Sequence, residues 1–206
     1  MLLSNETRRE FAERGYIVVP AVLSPREVRA AMTMVDDFVV QTPPPDGHRG
    51  HHFYWPALAP RHPLLGLLLD GATPPEPDGR PGTFTMLAGL LLTDQTSENA
   101  GNLWVWPGTH RAHEALFRER GPDALLSSRG LPDITLPAPE QVLGRAGDLL
   151  LAHYMLSHNI GGNTSPNVRR VIYYRLQREG HRDRWRDCVR DALLEFDAVR
   201  AALATD

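Results

Sequence analysis

Apolar and polar positions fall into three rhythms along this chain, and each rhythm predicts a different kind of element. Ser4 caps a short helix that runs through Phe11 and closes at Gly15, a residue free to take the left-handed conformation of a helix stop. Tyr16-Ile17-Val18-Val19-Pro20 is a β-branched apolar run, which predicts a strand. In Ser24-Pro25-Arg26-Glu27, an N-cap serine is followed by proline at the first helical position and a glutamate placed to close a capping box. Val28, Met32, Val35 and Val39 then recur at spacings of four, three and four, the single apolar stripe of a helix laid on a core. The rhythm is lost over 41–83, where Pro43-Pro44-Pro45-Asp46-Gly47 and Pro74-Pro75-Glu76-Pro77-Asp78-Gly79 are loop chemistry around a short buried helix expected at 62–69. From Phe84 onward strands are separated by turns: an apolar strand at 84–92, a polar loop at 94–102, and Leu103-Trp104-Val105-Trp106 stopped by Pro107-Gly108. A helix follows at 112–120, then strands at 149–156 and 168–176. Trp185, Val189, Leu193, Phe196 and Val199 make the tail one amphipathic helix. The sum is an α+β, mainly β chain built on an antiparallel sandwich or barrel.

Composition narrows the function classes. A length of 206 residues fits one decorated domain spanning 1–206, with core enough to fold without a metal or disulfide. The net charge of -3 argues against nucleic acid as a partner. A single cysteine, Cys188, excludes an internal disulfide and any multi-cysteine zinc site. The apolar stretches 64–69 and 149–156 fall far short of the ~20 residues that span a bilayer, and the N-terminus turns polar at once. A cytoplasmic protein with no membrane partner is expected. Nine histidines make a metal site worth seeking.

The stretch that carries chemistry joins two apolar strands through a Gly/Asn loop: Gly147-Asp148 leads into 149–156, Ser157-His158 ends that run, and Arg169-Arg170 opens the next. If the two strands pair antiparallel, His158 and an arginine share one mouth of the sheet. A neutral imidazole there can hold a metal, and an inward arginine can grip a carboxylate with two parallel bonds. Side chains alternate across a strand, so only one of Arg169 and Arg170 can face that cavity. By the same period His153 and His158 point to opposite faces and do not share a metal.

With Glu98-Asn99-Ala100-Gly101-Asn102-Leu103 and Pro107-Gly108-Thr109-His110 upstream, and Gly15-Tyr16-Ile17-Val18-Val19-Pro20 at the start, this stretch resembles the phytanoyl-CoA dioxygenase (PhyH-like) family. The resemblance implies a double-stranded β-helix (jelly-roll, cupin-like) with N-terminal helices and a C-terminal helix. It implies Fe(II) and 2-oxoglutarate as cofactors and hydroxylation or oxidation of a small organic molecule. Carried over residue by residue, it makes His158 the distal iron ligand and Arg169 the partner of the far carboxylate of 2-oxoglutarate, with no further catalytic residue. The 99–110 run becomes loop, core strand and turn.

The family's iron also needs a His-x-Asp/Glu pair shortly before the segment matching 84–92. At that place the chain reads Leu67-Leu68-Leu69-Asp70-Gly71, with Leu68 where the histidine belongs and Asp70 as the remaining candidate ligand. Either the histidine was substituted, or a motif-bearing segment was deleted near 71–73, leaving the β-helix short of one or two strands. His62-Pro63-Leu64-Leu65 reads as a helix start and 73–78 as the loop after the motif, which favours deletion. His181-Arg182-Asp183 is a literal His-x-Asp, but it follows His158 and reads as the charged start of the tail helix. His110-x-x-His113 reads as capping or surface, and His48, His51 and His52 as solvated loop. Two function classes remain: a 2-oxoglutarate-dependent oxygenase, and a catalytically inactive jelly-roll binding module.

Overall fold

Ser4 and Ser24 start the two N-terminal helices of the computed structural model, which describes residues 3–43, 46, 83–126 and 131–205. Asp70, the helix expected at 62–69, and His48, His51 and His52 lie outside the described residues. Helix α1 (Asn5–Arg14) begins where the Thr7 N–H donates to Ser4 Oγ and ends at Gly15, whose φ is 81°. Strand β1 (Tyr16–Val19) leads to α2 (Pro25–Gln41), where the capping box of Ser24 and Glu27 is complete. The buried stripe of α2 is Val28, Ala31 and Met34, with Met32, Val35 and Phe38 beside it. Val39, in the last turn of α2, is 37% exposed.

The remaining elements are β2 (Met86–Leu91), β3 (Leu103–Val105), α3 (Thr109–Arg120), β4 (Glu140–Gln141), β5 (Leu149–His153), β6 (His158–Ile160), β7 (Val171–Leu176), α4 (His181–Arg190) and α5 (Asp197–Leu203). The strands form two antiparallel sheets, β1-β5-β2-β7 and β4-β3-β6. Side chains alternate across the larger sheet. Tyr16, Leu87, Leu91, Leu150 and Ala152 point inward onto Leu103 and Val105 of the smaller sheet. Ala88, Leu90 and Tyr174 point outward beneath α2, while Ile17 and Val19 point outward beneath α1 and the C-terminal segment. Because β5 is covered on both faces, it reads as a continuous apolar run. Among the described residues, β6 and β7 each end their sheet.

Three expectations are corrected. The runs 149–156 and 168–176 are not neighbours: β2 lies between β5 and β7 and is antiparallel to both. The first run also ends as a strand at His153, where the Met155 N–H turns back to His153 Nδ1 (3.0 Å). The tail is two helices. Its helical spacing continues in sequence, but the Leu193 N–H bonds Asp191 Oδ1 and the Ala192 N–H bonds Glu114 Oε1, so these amides leave the helical pattern.

Candidate functional site

Register decides where His158 faces. Val105 lies opposite His158 and Leu103 opposite Ile160, and directly opposed residues share a face. Leu103 and Val105 belong to the core between the sheets, so His158 looks toward the same space from an exposed edge strand. Its Nδ1–H donates to the Leu156 carbonyl at 2.8 Å, which leaves the Nε2 lone pair available to a metal.

Arg169 reaches that space from the other sheet. It keeps step with Val171 and Tyr173, whose side chains pack on the core between the sheets. Arg170 keeps step with Ile172 and Tyr174, faces α2, and pairs with Asp36 at 2.7 Å. Among the described residues no carboxylate pairs with Arg169. Its Nε donates to Gln95 Oε1 (3.1 Å) and its Nη2 to the Tyr173 hydroxyl (2.5 Å), with the guanidinium carbon 5.6 Å from the Tyr173 ring centre. Strand register thus turns His158 and Arg169 toward the face between the sheets from two different sheets, not from the two arms of one hairpin.

Two glycines make room for this arrangement. A Cβ on Gly89 would stand 2.7 Å from the Tyr173 ring, and one on Gly101 would stand 2.9 Å from Arg169 Cδ. Gly101 also has a φ of 78°, which an L side chain resists. Replacing Gly101 by Ala is expected to cost about 1 kcal/mol of stability and to push Arg169 off Gln95. Gly162→Ala is the matched control, since nothing lies within 4 Å of its Cβ. Thermal unfolding and 2-oxoglutarate titration of both variants check this, and equal effects would count against it.

Gln95 and Tyr173 escape the sequence reading. The amide Nε2 of Gln95 is buried and has no hydrogen-bond partner among the described residues, although its Oε1 holds Arg169. Such a donor beside an unpaired guanidinium suits a carboxylate. Burial pushes the Tyr173 hydroxyl pKa up, with Arg169 opposing the shift, so the phenol stays protonated. Tyr173 was legible as the residue four after Arg169 on the same strand face. No signal in the sequence marks Gln95.

The other histidines hold structure. His110 is 0% and His113 2% exposed, which corrects their expected capping or surface role. His110 Nε2–H donates to the Ala12 carbonyl (3.1 Å), and His113 sits among the carbonyls of Thr109, Met155 and Pro132. His153 points to the outer side, donates from Nε2 to the Ala192 carbonyl (2.8 Å) and accepts at Nδ1, so both ring nitrogens are spent. It is separated from His158 as expected. The upstream run is structural as well: Asn102, fully buried, accepts the Ala100 N–H and donates to the carbonyls of Gln95 and Val142. Among the described residues, His158 belongs to no group of three metal-ligating side chains.

A family model described as phytanoyl-CoA dioxygenase (PhyH) matches residues 46–171. No curated protein matches the chain. Among solved structures, HygX from Streptomyces hygroscopicus with nickel and 2-oxoglutarate bound is similar at 18% identity and a TM-score of 0.59, covering 84% of this chain and 86% of HygX. The non-heme alpha ketoglutarate dependent carbocyclase SnoK from nogalamycin biosynthesis is similar at 22% identity and a TM-score of 0.57, covering 86% and 88%. EctD from S. alaskensis with bound Fe gives 18%, a TM-score of 0.56, and coverage of 84% and 77%. These likenesses establish the jelly-roll fold.

Proposed function

The chain belongs to the phytanoyl-CoA dioxygenase family, and on that premise we propose that it is an Fe(II)/2-oxoglutarate-dependent dioxygenase-like protein in which Arg169 holds the cosubstrate. The carrying observation is the contrast between the two adjacent arginines. Arg170 is neutralised by Asp36, while Arg169 faces the space between the sheets and, among the described residues, is held only by neutral groups and lies next to the unused donor of Gln95. A carboxylate of 2-oxoglutarate fits that set: the guanidinium supplies charge and a planar fork, and the Gln95 amide supplies a further donor. The Tyr173 hydroxyl accepts from Arg169 and keeps its own proton to donate. His158 is proposed as one iron ligand through Nε2, oriented by the Leu156 carbonyl, and Asp70 as a second. When bound, Fe(II) and 2-oxoglutarate supply the oxidising chemistry with dioxygen. The substrate is proposed to be a small organic molecule; HygX, which shares the fold, holds hygromycin B in one of its structures.

A second reading, an inactive jelly-roll binding module, is favoured by one feature: no His-x-Asp/Glu precedes His158 in the sequence. Anaerobic addition of Fe(II) and 2-oxoglutarate separates the two. The oxygenase gives a metal-to-ligand charge-transfer band and forms succinate in air; absence of both assigns the chain to the binding module. Arg169→Ala is expected to weaken 2-oxoglutarate binding on the order of 100-fold, the worth of a charge-assisted pair, with Arg169→Lys recovering only part. His158→Ala is expected to lower iron affinity while leaving the anion cradle in place, and unchanged iron binding would refute its role.

A further inference from the structure

Away from His158, three side chains that bind metals meet in the interior beneath α4. His181 opens that helix, Cys188 lies seven residues on along the same buried face, and Glu195 follows in the segment before α5. One ligand atom from each lies within 4.8 Å of the other two. His181 is 1% and Cys188 5% exposed, and the Glu195 side chain 3%. Two polar atoms there are left over: Glu195 Oε1 and the Tyr154 hydroxyl are both buried with no hydrogen-bond partner among the described residues. Tyr154 is 8% exposed, and its ring stands edge-on to His181 at 6.2 Å. The residues around the cluster serve to orient it. His181 Nε2 bonds Thr83 Oγ1 (3.0 Å), which turns Nδ1 toward Glu195 Oε2 (2.7 Å), and Thr85 Oγ1 donates to that same oxygen (2.6 Å).

We propose that His181, Cys188 and Glu195 form a binding site for a borderline-soft divalent cation of the zinc type, distinct from the space that His158 and Arg169 face. Imidazole nitrogen, thiolate sulfur and carboxylate oxygen are the three donor types zinc takes, at about 2.0–2.3 Å from the metal, which sets neighbouring donors roughly 3.3–3.6 Å apart. By side-chain rotation the widest pair must close by on the order of 1 Å, while His181 Nδ1 and Glu195 Oε2, 2.7 Å apart, must part slightly to admit the cation. The Tyr154 oxygen or a water completes four-coordination. The Thr83 bond to Nε2 is the outer contact that fixes a metal-bound imidazole.

Coordination replaces protons. The cation takes the place of the Cys188 thiol proton and of any proton shared between His181 and Glu195, and these leave to solvent. The two anionic donors neutralise the dication, while the half-exposed Arg184, whose Nη2 is 3.6 Å from Glu195 Oε1, turns outward to water. Without a cation the thiol is held protonated: burial and the Glu195 carboxylate push Cys188 up to about 12. The sequence reading placed His181 beside Asp183 in a His-x-Asp; the fold pairs it with residues seven and fourteen further on.

Cys188 is the only cysteine in the chain, which makes the test specific. The full chain, freed of metal by chelation, is titrated with Co(II) as a spectroscopic substitute for Zn(II). One equivalent is expected to produce a thiolate-to-cobalt charge-transfer band together with intense tetrahedral visible bands, both removed by Zn(II). His158→Ala keeps these signals, Cys188→Ser abolishes the charge-transfer band, and Glu195→Gln weakens binding at least ~10-fold, in line with loss of a metal contact. Circular dichroism checks that each variant is folded, and the native spectrum decides alone where one is not. Absence of the charge-transfer band in the native chain overturns the proposal. So does a band unchanged in folded His181→Ala and Glu195→Gln variants, which would mark a thiol binding cobalt without the cluster.

Discussion

Between pH 6 and pH 5 the stability of the fold is expected to fall by roughly 2 kcal/mol, because up to two more protons bind the unfolded chain than the folded one. The two sites are His110 and His153. Burial is the first cause in each: it pushes His110 down to about 4 and His153 to about 3, and His110, its ring 5.3 Å away, further opposes a charge on His153. In the unfolded chain both titrate near 6.5. Folded pKa values below unfolded ones mean that the stabilisation is complete above pH 6.5 and is lost as pH falls toward the folded values. By pH 4 the pair removes roughly 5 kcal/mol, comparable with the whole stability of many domains. His113, also lowered by burial, adds to the same slope. Glu195 and Asp197, whose pKa values are lowered as well, begin to lose their contribution only in the carboxylate range. Urea unfolding measured at half-unit steps separates the two windows. A stability that stays flat from pH 6.5 to pH 5 would refute the assignment.

Replacing Asn102 by Leu is expected to cost about 3–5 kcal/mol, because it orphans one buried donor and the Val142 carbonyl and takes from the Gln95 carbonyl one of its two bonds. The Ala100 N–H and the carbonyls of Gln95 and Val142 all close on this one amide. For a chain of this length the loss lowers the melting temperature by roughly 10 °C. Asn102→Asp keeps the acceptor but turns the other oxygen on two carbonyls, so it is expected to be no milder. The effect extends to binding. Gln95 is positioned by its backbone bonds to Gly144 and to Asn102, and its side chain holds Arg169. Below the melting temperature, the Asn102 variants should therefore bind 2-oxoglutarate more weakly than the native chain, although no atom of Asn102 belongs to the cradle. Calorimetry of unfolding and of ligand binding reads both effects.

What the sequence shows plainly is whatever depends on neighbours along the chain. The serine caps, the Gly15 stop and the Ser24–Glu27 box are local bonds, and they form where residue type places them. Strand alternation shows that only one of Arg169 and Arg170 can face the cavity, the family resemblance picks Arg169, and the fold places the two on opposite faces. What depends on distant partners was not legible. His110 and His113 look like surface residues until the Ala12, Met155 and Pro132 carbonyls arrive from elsewhere in the chain. The tail keeps helical spacing through Asp191, yet amides that would continue the helix find Glu114 and the Asp191 side chain instead. Strand order is equally silent: nothing in the runs 149–156 and 168–176 says that β2 stands between them.

That strand order also sets a timetable for folding. Among the described residues the only ladder partner of β1 is β5, which follows about 130 residues later, and β5 is the strand that joins β1 to β2 and through it to β7. Until β5 is made, a nascent chain carries an unpaired Tyr-Ile-Val-Val edge followed by the amphipathic helix α2, a sticky segment without its ladder partner. Pairings this far apart fold slowly, since the loop entropy is lost before the contacts form. The N-terminal strand therefore cannot be paired until residue 153 has left the ribosome, so the larger sheet closes late in synthesis.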